Sequence, residues 1–402
     1  MTESPDRKKM YKIPWSKFDN QAGWVEVTDE CNLSCNGCYR NRITGDRSFE
    51  SVCDEIIECQ KKTHCDTMVV SGGEPLLYPN IVELIRFIKE KKLKPLILSN
   101  GALLTPSLAK ELKSAGLSRI HFHVDSRQNR EGWEGVDEKG LNELRGHYAN
   151  MLYDLKGIQC GFHVTVAREN IEQVPAIIEW HSTNKHKVQH LSLIAFRAIN
   201  QNDEYDFYAN NKIIPAENMI NTYAGLDTSE ITSGEIYQKI QQYFPEFIPC
   251  AYINGDAFPE TNKYLFFLQI GSAKNSYGFL GAKTMELSQV FYHLFNRKYL
   301  SFVKNPAIGK IIFASALFDL QVWRALKSFH RLLLKNPSVL FKKTYLQSII
   351  IQQPIEFIDG VKNICDHCIN PMVLGDKLIN PCQLDEYRIF GGPIKAIKKY
   401  NR

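Results

Sequence analysis

The sequence predicts an α/β fold: a parallel sheet with helices on its outer face, then a helical insert and a small cysteine-bearing tail. Across residues 21–200, six short strand candidates alternate with amphipathic stretches at helical spacing, joined by short connections. Repeated strand–helix units of this kind imply strands that run parallel and lie covered by helices. Six units are also too few to close an eight-stranded barrel.

Taken in order, residues 1–20 are a polar N-terminal tail (Thr2-Glu3-Ser4-Pro5-Asp6-Arg7-Lys8-Lys9 at its start) with no apolar segment of signal-peptide length. It is read as too short for a domain that binds a leader peptide. The strand candidates are 24–28, Thr67–Ser71, Pro95–Ser99, Arg119–Asp125, Gln159–Val166 and His190–Phe196. The helical stretches lie near 48–62, 80–92, 106–115, 138–156 and 170–182. Thr105 and Pro106 suit the cap and first position of the third helix, and Gly116 suits the left-handed residue that ends it. Residues 201–357 lose this rhythm and are read as a largely helical, basic insert; residues 358–402 form the tail.

The composition, 44% hydrophobic and 23% charged, is that of an ordinary globular protein. At 402 residues the chain has length for more than one unit. The strongest apolar run, Ile311–Phe318, is eight residues long and ends at Asp319, which excludes a membrane-spanning helix. Together these features predict a cytoplasmic protein. Eleven cysteines in a reducing compartment favour metal ligation over disulfides, and six of them fall in two close-set groups.

The first group is Cys31, Cys35 and Cys38, a C-x3-C-x2-C run directly after the alternating segment 24–28. Three thiolates on one tight loop can hold three irons of a cubane cluster and leave the fourth open to a cofactor. Ser71-Gly72-Gly73-Glu74-Pro75 follows the apolar run Met68-Val69-Val70. Alone, the cysteines could be half a zinc site and the glycines a turn. Together, in this order and each at a strand end, they resemble the radical S-adenosylmethionine (SAM) superfamily.

That resemblance implies an open, partial (β/α)6 TIM-like barrel and a [4Fe–4S] cluster on Cys31, Cys35 and Cys38. It also implies SAM bound at the free iron and an electron donor such as flavodoxin or ferredoxin. The implied reaction is reductive cleavage of SAM to methionine and a 5′-deoxyadenosyl radical, which takes hydrogen from the substrate. Gly72 and Gly73 would let the backbone approach the methionine moiety, where a Cβ would intrude. Glu74 would accept a hydrogen bond from its ammonium group. Asn100 would contact the carboxylate or ribose. Asp125 or Ser126 would contact the ribose or cap the strand end, with His123 standing where the family commonly has serine. Arg168 would meet the carboxylate or be a solvated surface residue; Phe196 would line the adenine or join the core. One departure is Gly37, with Tyr39 after the third cysteine, where the family often has an aromatic residue before it.

The second group is Cys365, Cys368 and Cys382, with C-x2-C-x13-C spacing. It resembles the Twitch and SPASM extensions and the auxiliary cluster of the GTP-cyclising radical SAM enzyme of molybdenum-cofactor synthesis. This implies a second [4Fe–4S] cluster. Gly375–Pro381 reads as a hairpin that returns Cys382 to the first pair. Cys250 is the candidate for a fourth ligand. The competing reading is a closed zinc site, with His367 or another residue completing it. Cys53, Cys59, Cys65 and Cys160 read as buried free thiols.

Residues 297–343 hold ten Lys or Arg and one acid, Asp319, a net +9 in a chain whose total is +5. Bulky apolar residues interleave with the bases. This suits a helix on an anionic membrane surface or a lipid site, against the alternative of core-packed helices with solvated lysines. No nucleic-acid-binding motif accompanies the charge. The sequence therefore points to a radical SAM enzyme acting on a lipid or prenyl-type molecule, peripheral to a membrane. The alternatives are a peptide-modifying SPASM/Twitch maturase and a zinc-stabilised binding protein without catalysis.

Overall fold

The computed structural model describes residues 5–36, 38, 40, 45–196, 205–215, 231–303, 305 and 307–399. The strand–helix alternation is present in full. It comprises β1 (Tyr11–Lys12), β2 (Ala22–Glu26), α1 (Phe49–Thr63), β3 (Thr67–Ser71), α2 (Ile81–Glu90), β4 (Lys94–Ser99), α3 (Pro106–Ala115), β5 (Arg119–His123), α4 (Asn142–Leu155), β6 (Gln159–Val166), α5 (Val174–Thr183) and β7 (Val188–Ala195). Strands β2 to β7 lie side by side in chain order, every pair parallel. This is the partial barrel.

Local chemistry fixes the elements. The Thr105 hydroxyl accepts from the Leu108 N–H at 3.2 Å, Pro106 follows it, and Gly116 ends α3 at φ 101°. Ile81, Leu84, Ile85 and Ile88 put the apolar stripe of α2 on the sheet, and burying each such side chain is worth about 1.5–3 kcal/mol. Alternation along the strands then sorts two faces. Val25, Met68, Val70, Ile97, Ile120, Phe122, Phe162 and Leu191 pack outward in the main core. Trp24, Val69 and Leu96 pack inward around Phe302.

The expectation of a largely helical 201–357 needs correction. That stretch contains β8 (Tyr205–Ala209), β9 (Lys212–Ile214), α6 (Ser233–Tyr243), β10 (Ala251–Asn254), β11 (Asn262–Gly271), β12 (Ser276–Phe279), α7 (Ala282–Asn296), α8 (Leu320–Lys335) and β13 (Tyr345–Gln352). β13 pairs parallel with β7, and β11 pairs antiparallel with β13, β12 and β10. The β-branched run Ile349–Ile351 pairs with the open edge of β7, and the aromatic run Tyr264–Phe267 pairs with it in turn, so the sheet continues through the insert. The polar start of the chain is likewise not a loose tail. β1 pairs parallel with β10, and Ile13 and Trp15 are buried.

The C-terminal residues add β14 (Glu356–Ile358), β15 (Val361–Asn363), β16 (Met372–Leu374), β17 (Lys377–Ile379), α9 (Leu384–Phe390) and β18 (Lys395–Lys398). The expected hairpin is β16–β17, turning at Gly375 with φ 57°. Met372 pairs with Trp24 of β2, while Asp366 N donates to Asn254 O of β10 at 2.9 Å. The tail therefore spans from one end of the sheet to the other. Among the described residues no helix is long and apolar enough to cross a membrane.

Candidate functional site

The two sequence motifs meet through their backbones. Gly73 N donates to Thr28 O at 2.8 Å, and Glu74 N donates to Glu30 O at 2.7 Å. A Cβ on Gly72 would stand 2.3 Å from Thr28 O, and one on Gly73 2.0 Å from Glu30 O. The glycines are thus required where the end of β3 crosses the residues leading into the cysteine loop. The sequence reading assigned them to cofactor approach and missed this contact, because Thr28 and Glu30 are distant in the chain.

Cys31 and Cys35 are partly buried and Cys38 is exposed. The segment after β5 clamps their loop. Asn36 N donates to Arg127 O at 2.8 Å, Arg127 Nε to Asn36 O at 3.1 Å, and Asn129 Nδ2 to Ser34 O at 2.9 Å. Cys35 also bridges Gln128. Burial pushes the Cys35 thiol up to about 12, with Asp125, Cys38 and Cys31 adding to the shift. Three sulfurs on one loop, with the most buried of them, Cys35, resisting ionisation, are a donor set suited to a cationic cluster, whose charge would reverse that penalty. Gly37 and Tyr39 lie outside the described residues.

Glu74 is buried, and burial raises its pKa. One carboxylate oxygen accepts from Ser99 Oγ at 2.7 Å and Leu76 N at 3.0 Å; the other accepts from Asn100 N at 2.7 Å. A carboxylate has about four acceptor sites, so three donors leave about one for a further cation. Asn100 is at the cysteine loop: its Nδ2 is 2.8 Å from Asn32 Oδ1 and 3.9 Å from Cys31 Sγ.

Asp125 is pulled inward. Burial opposes its charge, but His123 Nε2 at 2.6 Å and the Thr165 N–H at 2.9 Å hold its pKa down at about 2. Ser126 donates through N and Oγ to Glu138 Oε1, both at 2.8 Å, and Glu138 is paired with Arg145 in full burial. That is the strand-end cap reading of Ser126. Arg168 pairs with Glu235 of α6 at 2.6 Å. Phe196 is buried, with the Arg127 guanidinium 4.0 Å above its ring. Arg127 and Arg130 were missed from sequence. Arg130 Nη2 donates to Asn100 O at 2.6 Å and so joins the ends of β4 and β5.

At the second group, burial raises the Cys365 thiol to about 12 and pushes Cys368 well above the usual thiol range, and Cys382 adds to both shifts. The three tail thiols all act on Tyr264 of β11, another residue sequence reasoning did not single out. Cys250 is placed differently. Its thiol donates to Phe266 O at 3.3 Å within an apolar cluster, and Cys365 packs against that cluster's rim. His367 is 3.8 Å from Asp366.

Residues 25–180 match the family model described as the radical SAM superfamily. Fe-coproporphyrin III synthase of Methanosarcina barkeri is 28% identical over 182 residues, 43% of this chain and 44% of that one. A probable GTP 3′,8-cyclase of Methanocaldococcus jannaschii is 31% identical over 159 residues, 39% of this chain and 53% of that one. The chain thus spans about half the length of the curated relatives it matches. A crystal structure of Streptococcus suis SuiB bound to S-adenosylmethionine aligns with TM-score 0.37 and 16% identity, over 46% of this chain and 42% of that one.

Proposed function

Residues 25–180 are a radical SAM domain, and from that premise we propose that the whole chain is a SAM-cleaving radical enzyme. Cys31, Cys35 and Cys38 would hold a [4Fe–4S] cluster, which with SAM supplies methionine and a 5′-deoxyadenosyl radical able to take hydrogen from an unactivated carbon. The observation that carries the reading is the convergence of both motifs with the 127–129 clamp on one loop. Glu74 keeps acceptor capacity for an ammonium group, and Asn100 faces the loop. Gly72 and Gly73 bring their backbone to the same edge; Asp125 holds its charge at the end of β5 while Ser126 keeps that turn fixed. An electron donor of the flavodoxin or ferredoxin class would supply the reducing electron. The test is 5′-deoxyadenosine formation with dithionite and SAM after anaerobic reconstitution. Replacing Cys31, Cys35 and Cys38 by Ala should abolish it, and undiminished product would refute the assignment.

The tail trio is proposed to hold a second [4Fe–4S] cluster, supported by the electrostatic reach of Cys382 to Cys365 and Cys368 and of all three to Tyr264. Arg168, drawn to Glu235, and Cys250, drawn to Phe266, have less support as ligands.

For the substrate we favour a lipid or prenyl-type molecule met at an anionic membrane surface. Twelve of the twenty large apolar side chains exposed among the described residues fall between 290 and 341, including Phe291, Leu294, Phe295, Leu317, Trp323 and Phe341. Val322, Ala325 and Phe329 bury one side of α8. Leu320, Trp323 and Leu334 share its open side with Arg324, Lys327, Arg331 and Lys335. Lys304, within the basic stretch, lies outside the described residues. Each cation near an anionic surface adds about 1 kcal/mol of binding. Wild-type protein should sediment with anionic but not neutral vesicles at low salt, and Lys327→Glu, Arg331→Glu, Lys335→Glu together should prevent it. Absence of sedimentation would move the substrate to the peptide class.

A further inference from the structure

The inner face of the barrel carries a side-chain cluster that neither cysteine site uses. His121 of β5, His163 of β6 and His190 of β7 each offer a ring nitrogen, and the three atoms lie within 4.8 Å of one another. His121 Nδ1 is 3.0 Å from His163 Nε2, and the His121 ring stacks on His190 with centroids 4.4 Å apart. Strand pairing sets the arrangement: Gly161 is opposite both His121 and His190. A Cβ at Gly161 would stand 2.4 Å from His121 Cδ2 and 2.8 Å from its Nε2, so only glycine leaves the imidazoles their space.

One ring nitrogen of the cluster lacks a hydrogen-bond partner. His121 Nε2 is buried without one. At His190 the protons can be placed. Ser348 Oγ donates its single proton to Gln189 O at 3.2 Å, so it accepts from His190 Nδ1 at 2.8 Å. The lone pair of His190 then lies on Nε2, the arrangement that an outer hydrogen bond imposes on metal-binding histidines. Burial, together with the neighbouring rings, keeps all three imidazoles neutral, with His163 lowered to about 3. Simple core packing does not account for this wall. On the same face, β2, β3 and β4 carry Trp24, Val69 and Leu96, and the one ring nitrogen among them, Trp24 Nε1, donates to Glu26 Oε1 at 3.2 Å.

We propose that His121, His163 and His190 bind a divalent cation of the zinc class inside the barrel, with a fourth position open to an anionic oxygen. Three neutral nitrogens suit zinc, cobalt or nickel over magnesium or calcium. Three-histidine sites characteristically keep an open position. The anionic fourth ligand follows from charge. Arg119, buried at the same face, has a neutral partner in Gln159 Oε1 at 3.0 Å and the Phe302 ring at 3.8 Å, and it adds positive charge beside the imidazoles. The site stands or falls independently of the iron–sulfur assignment.

The test uses full-length protein, reconstituted anaerobically with iron and sulfide, equilibrated with zinc sulfate and washed with a weak chelator. About one zinc per chain should remain, with a nitrogen/oxygen shell at about 2.0–2.1 Å by zinc-edge X-ray absorption and no sulfur shell at about 2.3 Å. His121→Gln, His163→Gln, His190→Gln together should remove the zinc and leave the iron count unchanged. Ser348→Ala, which removes only the outer hydrogen bond, should weaken zinc binding about 10–100-fold. No retained zinc in the wild type, or zinc with sulfur neighbours, overturns the proposal. So does zinc that survives the histidine changes but is lost with Cys365→Ala. The wild-type spectrum decides even if the triple variant fails to fold.

Discussion

Replacing Gly73 by alanine tests the contact between the two motifs. The added Cβ would lie 2.0 Å from Glu30 O and 2.8 Å from Asp29 O, both backbone atoms. Ordinary non-bonded contact needs about 3.5 Å, so the Glu30 carbonyl must retreat by about 1.5 Å. Two hydrogen bonds run through the contact, Gly73 N to Thr28 O and Glu74 N to Glu30 O. Losing or stretching both costs about 1–3 kcal/mol, and the overpacking adds about 1–3 kcal/mol. Cys31 is the next residue after Glu30, so the retreat moves the first thiol. Iron per chain, measured after anaerobic reconstitution in a background lacking the tail cysteines, should fall well below that of the parent. Gly132→Ala is the control: its φ of 78° strains a side chain, but nothing lies within 4 Å of its Cβ. It should keep its iron. Full iron in Gly73→Ala would show that the glycine is not needed for backbone approach, and the steric argument would fail.

Cys365→Ala, Cys368→Ala, Cys382→Ala together should leave about four irons of a total near eight, if each group holds one cubane. A wild-type count near four with sulfur-bound zinc would assign the tail to zinc. Glu138→Ala should cost about 3–5 kcal/mol in urea unfolding, because Arg145 is left charged and buried; a loss below about 1 kcal/mol would contradict the pair's role. Glu26 is pushed to about 7 by burial, against the pull of Arg40 and Trp24. A carboxyl with a raised folded pKa holds its proton more tightly in the native state, so its contribution falls as pH climbs from about 4.5 through about 7, by about 3 kcal/mol. Glu26→Gln should flatten that slope and be neutral or stabilising at pH 8; a variant clearly less stable there would refute the sign.

What was legible in the sequence was local. α3 was readable to its ends because Thr105, Pro106 and Gly116 act on their own helix. β3 and β4 were readable because both faces are covered, which makes Met68-Val69-Val70 and Leu96-Ile97-Leu98 continuously apolar, whereas β5, β6 and β7 alternate apolar residues with polar ones. The hairpin of the tail showed through Gly375. What escaped depended on distant partners. β11 and β13 have strand-like composition but declare themselves only by pairing with each other and β7. Gly72 and Gly73 looked like cofactor glycines because Thr28 and Glu30 cannot be placed opposite them from sequence. His121, His163 and His190 stand on three strands, and no spacing rule joins them.

The two cysteine groups are mechanically linked, and the link runs through charge. Arg40 follows Cys38 by two residues, and its guanidinium meets Glu26 at 2.9 Å, Asp29 at 2.5 Å and Asp385 at 2.6 Å. Asp385 lies three residues after Cys382, on α9, and Arg388 of the same helix reaches Asp29 at 2.9 Å. Asp29 and Asp385 already exceed what one guanidinium neutralises, and Glu26 adds to them as it ionises, so Arg388 is part of the balance. Buried charges of this kind are costly unless every partner is present. The two flanks of the first cysteine loop and α9 of the tail therefore complete each other's electrostatics. Displacing α9 would leave Asp29 and Glu26 sharing Arg40 alone, beside the cysteines that the first site depends on.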